Sequence, residues 1–319
     1  MGGPLIIDVA GHALDGVDRE VLAHPHVGGV ILFTRNYEAP GQLRALCDAL
    51  RRVRRREPLL ITVDHEGGRV QRFRAGFTEL PAARTHGDAW AGDPVAAEAA
   101  AREHGRTLAR ELLAAGVDHS YAPVLDLDRG LGSVIGDRAF SADPEVVAAL
   151  GVAWIAGMRD IGMAACGKHF PGHGGVAGDS HHELPVDERS LADIEASDLI
   201  PFRAAIDAGI DAVMMAHVLY PAVDGRPASL SPVWVREVLR GRCAFDGVVV
   251  CDDLSMAGAQ GFGSYSDRAA AALEAGCDLL PVCNHRDGVV EILDALPLQG
   301  RADAQRVARL ARLRPRAAA

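Results

Sequence analysis

Short stretches of apolar residues recur along the chain, and most are continuously apolar rather than alternating between apolar and polar positions. Continuous runs of this kind are typical of strands that are buried on both faces of a parallel sheet. The pattern predicts eight strands, at residues 5–10, 28–33, 59–63, 117–124, 163–170, 211–217, 247–251 and 277–283.

Segments with the apolar spacing of helices lie between these strands, at residues 40–54, 94–115, 144–159, 191–208, 232–240, 264–275 and 286–296. Several begin at proline, which suits the first helical turn, and several are followed by glycine, which suits the position after a helix. Strands and helices that alternate without a composition break predict an α/β fold, a single (β/α)8 TIM-type barrel. A doubly wound open sheet is the alternative, but no G-x-G-x-x-G follows the first strand.

The chain has 319 residues, and a barrel of this kind typically needs about 250. We therefore expect residues 1–319 to form one catalytic domain with a C-terminal helical tail from about residue 301, packed on the outside or frayed. Since such a barrel needs no partner to complete it, a monomer is expected.

Charge and composition exclude several classes of protein. A net charge of −10 argues against nucleic acid as a partner, because phosphate contacts need a basic surface. The arginines within residues 51–56 are interpreted as a solvated helix end. No apolar run approaches the ~20 residues that span a bilayer, so no membrane association is expected. Six cysteines without C-x-x-C spacing argue against disulfides and structural zinc, and favour a reduced, cytoplasmic protein.

Polar residues stand at or just beyond the end of every predicted strand: Asp8, Arg35, Asn36, Asp64, Asp126, Lys168, His169, His217, Asp252, Asp253, Asn284 and His285. In a barrel of this class, catalytic groups lie at the carboxyl ends of the strands. The sequence therefore predicts an active site on that face.

The loop after the fifth predicted strand, residues 168–182, is rich in glycine and carries Asp179 and His181. Glycine gives a backbone freedom to bend and move, so the loop is interpreted as a catalytic lid. Asp179 could orient the imidazole of His181 as a proton donor tuned near neutral pH. A carboxylate at the tip of the seventh strand, Asp252, is placed to act as a nucleophile or a base.

A metal site is the competing interpretation, because histidines and aspartates are plentiful. There is no H-x-H at the first strand and no H-E-x-x-H anywhere in the chain. We therefore predict no metal and no cofactor.

Five stretches make the chain resemble a known family: GVILFTRNY (29–37), VDHEGGRVQRF (63–73), GKHFPGHG (167–174), DSH (179–181) and DDLSM (252–256). Together they resemble bacterial family 3 glycoside hydrolases of the β-N-acetylglucosaminidase type, which act in peptidoglycan recycling. The resemblance covers nearly the whole chain. It departs at His65, where glutamine is more usual, at Cys251 and at Met215.

The resemblance implies a role for each of several residues. It implies that Asp252 is the nucleophile and that His181 is the general acid/base, supported by Asp179. It further implies that the N-acetylglucosamine ring is bound by Asp64, Arg72, Arg138, Lys168 and His169. The implied reaction is retaining exo-hydrolysis of terminal N-acetylglucosamine from anhydro-muropeptide fragments through a covalent glycosyl-Asp252 intermediate.

Substrate-assisted catalysis would need two neighbouring carboxylates at the site, and it is rejected because Asp252 and Asp253 are expected to diverge at a strand end. Two alternatives to the hydrolase remain open on the sequence. A histidine acid/base repels incoming phosphate less than a carboxylate does, so a glycoside phosphorylase is the first. A non-catalytic muropeptide-binding protein on the same barrel is the second.

Overall fold

A computed structural model describes residues 3–132, 134–178, 180, 182–296 and 304–317. Its strands are β1 Leu5–Ile7, β2 Val27–Leu32, β3 Leu60–Val63, β4 His119–Ser120, β5 Cys166–Phe170, β6 Ala212–Met215, β7 Leu219–Tyr220, β8 Asp224–Pro227, β9 Val248–Val250 and β10 Leu280–Val282. Strands β7 and β8 form a short antiparallel hairpin. The other eight fall on the eight predicted strands.

These eight strands pair in parallel around a ring. One sheet has the order β10-β1-β2-β3-β4, and a second has the order β5-β6-β9. Parallel bridges join the two sheets, one between Val124 and Lys168 and one between Val250 and Leu279. Backbone pairing therefore passes through all eight strands and returns to the first, and the predicted (β/α)8 barrel is confirmed.

Alternate strand positions face two different cores. Ile6, Ile31 and Leu60 belong to a buried cluster inside the barrel. Their strand neighbours, such as Ile7 and Val30, belong to a second cluster shared with the surrounding helices. Because both faces are buried, the strands are continuously apolar in sequence.

The helices are α1 Gly16–Ala23, α2 Pro40–Val53, α3 Ala83–Trp90, α4 Pro94–Ala115, α5 Pro144–Asp160, α6 Leu191–Glu195, α7 Leu199–Asp207, α8 Ala257–Gln260, α9 Tyr265–Ala275, α10 Arg286–Ala295 and α11 Ala304–Ala311, with a π-helix at Val233–Arg242. Proline stands in the first turn of α2, α4 and α5, as predicted. Gly116 follows α4 and Gly276 follows α9, both with left-handed backbone. No helix in the described ranges is long and apolar enough to cross a membrane.

The predicted helix at residues 191–208 is two helices, α6 and α7. Pro201 lies in the first turn of α7, where proline is tolerated. In one continuous helix, its ring would clash with the carbonyl of Ser197. The prediction of one helix was therefore wrong because it ignored the position of this proline. Helices α1 and α3, eight residues each, were not predicted.

The C-terminal segment lies across the amino-terminal end of the barrel. Leu310 and Leu313 are fully buried in the cluster inside the barrel. Arg309 pairs with Asp278 at 2.6 Å, just before β10, and further arginines reach aspartates that precede other strands. The helix thus closes the bottom of the barrel instead of packing on its outer surface. The interpretation of residues 1–319 as one catalytic domain stays a prediction.

Candidate active site

A cavity of about 430 Å³ opens at the carboxyl ends of the barrel strands. This is within the usual size range of small-molecule sites. Of the eight residues to which the family resemblance assigns a role, six border it: Asp64, Arg72, Arg138, Lys168, His169 and Asp252. Asp179 and His181 lie outside the described residues.

Lys168 lies at the centre of a charged cluster. Its Nζ is 2.7 Å from Asp64 Oδ1 and 2.6 Å from Glu66 Oε1, and only 2% of its side chain is exposed. Arg138 grips Glu66 through two bonds, Nε to Oε2 at 2.9 Å and Nη2 to Oε1 at 2.8 Å. The positive charges of Lys168 and Arg138 are thus balanced by the negative charges of Asp64 and Glu66. This cluster is largely shielded from solvent.

These contacts keep the cluster ionised. Burial alone would lower the pKa of Lys168, but the carboxylates of Asp64 and Glu66 raise it above its usual value. Burial alone would raise the pKa of Glu66, but Arg138 and Lys168 hold it well below its usual range. Their hydrogen bonds are therefore charge-assisted over the ordinary pH range.

Arg72 borders the cavity. Its Nε is buried and has no hydrogen-bond partner among the described residues. Its guanidinium carbon lies 5.8 Å from the centre of the Phe33 ring, which also borders the cavity.

Asp126 orients His169. It is fully buried, and its Oδ2 lies 2.7 Å from His169 Nδ1. The same carboxylate accepts the backbone N–H groups of His169 and His173. Burial would raise the pKa of Asp126, but His169 lowers it below its usual value. With Nδ1 bound to a carboxylate, the His169 ring is fixed in orientation. The Lys168–His169 peptide is cis.

Asp252 and Asp253 follow β9 and both border the cavity, so the expected divergence of their side chains stays a prediction. Asp252 borders the cavity with 9% of its surface exposed. The carboxylate of Asp253 accepts hydrogen bonds from the N–H and hydroxyl of Ser255 and from the N–H of Cys283, at 2.8–3.0 Å. Burial raises the pKa of Asp253 to about 6. Asp253 therefore braces the ends of β9 and β10.

Not every polar group at a strand end serves the cavity. Asn36 is buried and donates to the carbonyls of Val9 and Gly11. The His217 ring contacts Ser229 Oγ at 2.6 Å and the Asp253 carbonyl at 2.9 Å. These two side chains stabilise loops, so position at a strand end was not a sufficient criterion.

The described part of the glycine-rich loop is docked on its neighbours. Tyr220 donates its hydroxyl to the Gly172 carbonyl at 2.7 Å. Ser180 Oγ lies 3.0 Å from His173 Nε2, and the Ser180 carbonyl accepts the N–H of Gly258 at 3.0 Å. Ser180 borders the cavity, and its contact with Gly258 joins this part of the loop to the segment after β9.

Sequence reasoning missed Glu66 as a site residue. The signal was present, because Asp64 and Glu66 are two positions apart and extended chain places such residues on one face. Within the described ranges, no group of three or more histidine, cysteine, aspartate or glutamate side chains is arranged to hold a metal ion. The absence of a metal from the reaction stays a prediction.

The sequence model of one protein family, the glycosyl hydrolase family 3 N terminal domain, matches residues 6–313 of this chain. The chain belongs to glycosyl hydrolase family 3. It is therefore a glycoside hydrolase, and its resemblance to this family is confirmed.

Two similar proteins, one of them in two crystal structures, illustrate the match. A protein of Thiobacillus denitrificans named beta-hexosaminidase is 56% identical over 311 residues, which are 98% of this chain and 86% of the relative. A crystal structure of NagZ from Neisseria gonorrhoeae in complex with N-trifluoroacetyl-D-glucosamine superposes with a TM-score of 0.92 at 45% identity, covering 98% of this chain and 90% of NagZ. A zinc complex of NagZ from the same organism gives 0.91 at 44% identity, with the same coverage.

Proposed function

We propose that this chain is a retaining exo-β-N-acetylglucosaminidase. The observation that carries the proposal is the position of Asp252, whose carboxylate follows β9 and borders the same cavity as the charged cluster around Lys168. Similarity to proteins named beta-hexosaminidase and to NagZ bound to an N-acylated glucosamine supports the choice of sugar.

In the proposed first step, an oxygen of Asp252 bonds to C1 of the sugar as the bond from C1 to the leaving oxygen breaks. His181 donates its proton to that oxygen. In the second step, His181 takes a proton from water, the water oxygen bonds to C1, and Asp252 leaves as a carboxylate. Asp179 orients His181. The roles of Asp179 and His181 rest on the family resemblance.

Histidine suits the acid/base role on a glycine-rich loop. Its unperturbed pKa of about 6.5 gives useful amounts of both protonation states near neutral pH. A carboxyl group would need a dry pocket to raise its pKa into the same range.

The remaining proposed roles concern binding of the sugar ring. Asp64 supplies a carboxylate, Lys168 and Arg138 supply charged donors, and His169 supplies a ring held by Asp126. Arg72, which also borders the cavity, supplies a further charged donor group. Such a set of charged groups suits the hydroxyl and amide groups of N-acetylglucosamine.

We extend the proposal to the biological substrate. An anhydro-muropeptide is the proposed leaving fragment, with a place in peptidoglycan recycling in the cytoplasm. The protein is proposed to act as a monomer, without a cofactor, a nucleic acid or a membrane. These points rest on the family resemblance and on the composition of the chain.

Turnover of an aryl N-acetyl-β-glucosaminide, with and without inorganic phosphate, tests the proposed activity. The expected product is free N-acetylglucosamine in both conditions, with far slower turnover of the matching aryl β-glucoside. A sugar 1-phosphate would instead identify a phosphorylase. Absence of turnover with measurable binding of N-acetylglucosamine would identify a binding protein.

A further inference from the structure

Glu66 joins the two buried cations of the cavity. Its Oε1 lies 2.6 Å from Lys168 Nζ and 2.8 Å from Arg138 Nη2, and its Oε2 accepts Arg138 Nε at 2.9 Å. Only 8% of the Glu66 side chain is exposed. One carboxylate therefore accepts three N–H groups from two separate parts of the chain, strand β5 and the turn that ends at Arg138, and water competes little for them.

These bonds determine which donors remain for a ligand. Lys168 has three N–H groups, of which one is directed at Glu66 and one at Asp64. Arg138 has five, of which two are directed at Glu66 and one at the Val134 carbonyl at 3.2 Å. The directions of the remaining N–H groups of Lys168 and Arg138 thus depend on the position of Glu66.

The backbone of Glu66 is held on both sides. Its N–H donates to the Val70 carbonyl at 2.7 Å, and its own carbonyl contacts His104 Nε2 at 3.1 Å. Gly67 has a φ of +96°, and a Cβ there would lie 2.5 Å from the Pro81 carbonyl oxygen. This tight turn has little freedom, so the Glu66 side chain starts from a fixed point.

We propose that Glu66 is a positioning residue: it holds Lys168 and Arg138 in the geometry that binds the sugar ring. The inference rests on the proposed function, because Lys168 and Arg138 are ring-binding residues only within that proposal. Glu66 itself is engaged by two cations, so it does not serve as a proton acceptor in the reaction.

The effect on kinetics follows from when Lys168 and Arg138 act. Their N–H groups are in place before any bond breaks, so they bind the ground state and the transition state alike. Loss of such uniform binding raises KM and the ligand dissociation constant and leaves kcat nearly unchanged.

The test compares Glu66→Gln with Asp278→Asn. Both changes turn a buried carboxylate that pairs with two cations into an amide, but Asp278 pairs with Arg240 and Arg309 at the opposite end of the barrel. The measurements are kcat and KM for an aryl N-acetyl-β-glucosaminide and the dissociation constant of N-acetylglucosamine by titration. Both proteins should lose stability.

For Glu66→Gln, we expect KM and the dissociation constant to rise about 10- to 100-fold, which corresponds to about 1.4–2.8 kcal/mol of binding free energy, because hydrogen bonds to charged groups are strong ones. We expect kcat to change by less than about fivefold. Asp278→Asn should leave all three constants unchanged. Unchanged constants in Glu66→Gln, an equal shift in Asp278→Asn, or a fall in kcat alone would overturn the proposal.

Glu66→Asp supplies the answer if Glu66→Gln does not fold. It keeps the charge but is one methylene shorter, so it cannot reach both cations, and an intermediate rise in the dissociation constant is expected. No rise would again overturn the proposal. Failure of the proposed function has a different signature: wild-type protein would bind N-acetylglucosamine without turning over the glycoside, and the comparison of dissociation constants would still stand.

Discussion

The imidazole of His65 packs against the ring of Phe73, with their centroids 5.6 Å apart. The ring of Phe77 lies 5.9 Å away, and only 1% of His65 is exposed. Burial lowers the pKa of His65 to about 3, and the nearby guanidinium groups of Arg72 and Arg74 add to the effect. The folded protein therefore holds this ring in its neutral form.

This environment predicts a loss of stability in mild acid. The folded pKa of His65 is about 3 and the ordinary value is 6.5, so protonation favours the unfolded chain. The contribution of the neutral ring is fully present above about pH 6.5 and is lost as the pH falls towards 3. Relative to His65→Gln, the free energy of unfolding of the wild type should fall by about 2 kcal/mol between pH 7.5 and pH 5.

Urea unfolding of both proteins at the two pH values checks this prediction. His182→Gln is a suitable control, because His182 is exposed and its replacement should leave the pH dependence of the wild type. If the free energy of unfolding depends on pH in the same way in the wild type and in His65→Gln, His65 is not the cause of the loss of stability in acid.

The C-terminal helix α11 should contribute strongly to stability, because Leu310 fills the bottom of the barrel. Leu310→Ala is expected to lower the free energy of unfolding by about 2–5 kcal/mol, through lost burial and the cavity left behind. The measurement is chemical unfolding followed by circular dichroism.

Val307 lies on the same helix but is 36% exposed, which makes Val307→Ala the matched control. Its effect should stay within about 0.5–1 kcal/mol. Equal losses from the two substitutions would contradict the burial of Leu310 inside the barrel.

His181→Ala tests the proposed general acid. Glycosides with poor leaving groups need the proton and should be hydrolysed about 10²- to 10⁴-fold more slowly. The aryl groups of activated aryl glycosides leave without being protonated, so hydrolysis of these substrates should slow by less than about tenfold. Steady-state rates over a series of leaving groups measure the difference.

His182→Ala changes the neighbouring histidine and should leave the dependence on leaving group as it is in the wild type. If His181→Ala slows all substrates equally, His181 does not donate the proton to the leaving oxygen.

The fold was predictable because its signals are local. Each barrel strand is buried on both faces, so it is apolar without interruption, and proline and glycine mark helix ends such as Pro94 and Gly116. Helices without these markers were missed: α1 and α3 are eight residues long. The break between α6 and α7 depends on one proline in the middle of an otherwise regular pattern.

The sequence predicted the face of the barrel on which the candidate site lies, but only part of the set of contacts within the site. The positions of polar residues relative to the apolar runs predicted which groups stand at strand ends. The resemblance to a known family then indicated which of these groups belong to the site. Neither could show that Glu66 joins Lys168 to Arg138, or that His217 turns towards Ser229. These pairings depend on how separate loops meet in three dimensions.

The most direct test of the central claim is the identity of the residue that becomes attached to the sugar. The protein would be incubated with a 5-fluoro N-acetylglucosaminyl donor, which slows release of the covalent intermediate, and the labelled peptide would be identified by mass spectrometry. We predict a single label on Asp252, lost in Asp252→Asn. A label on any other residue, or turnover of the donor without a covalent adduct, would contradict the account.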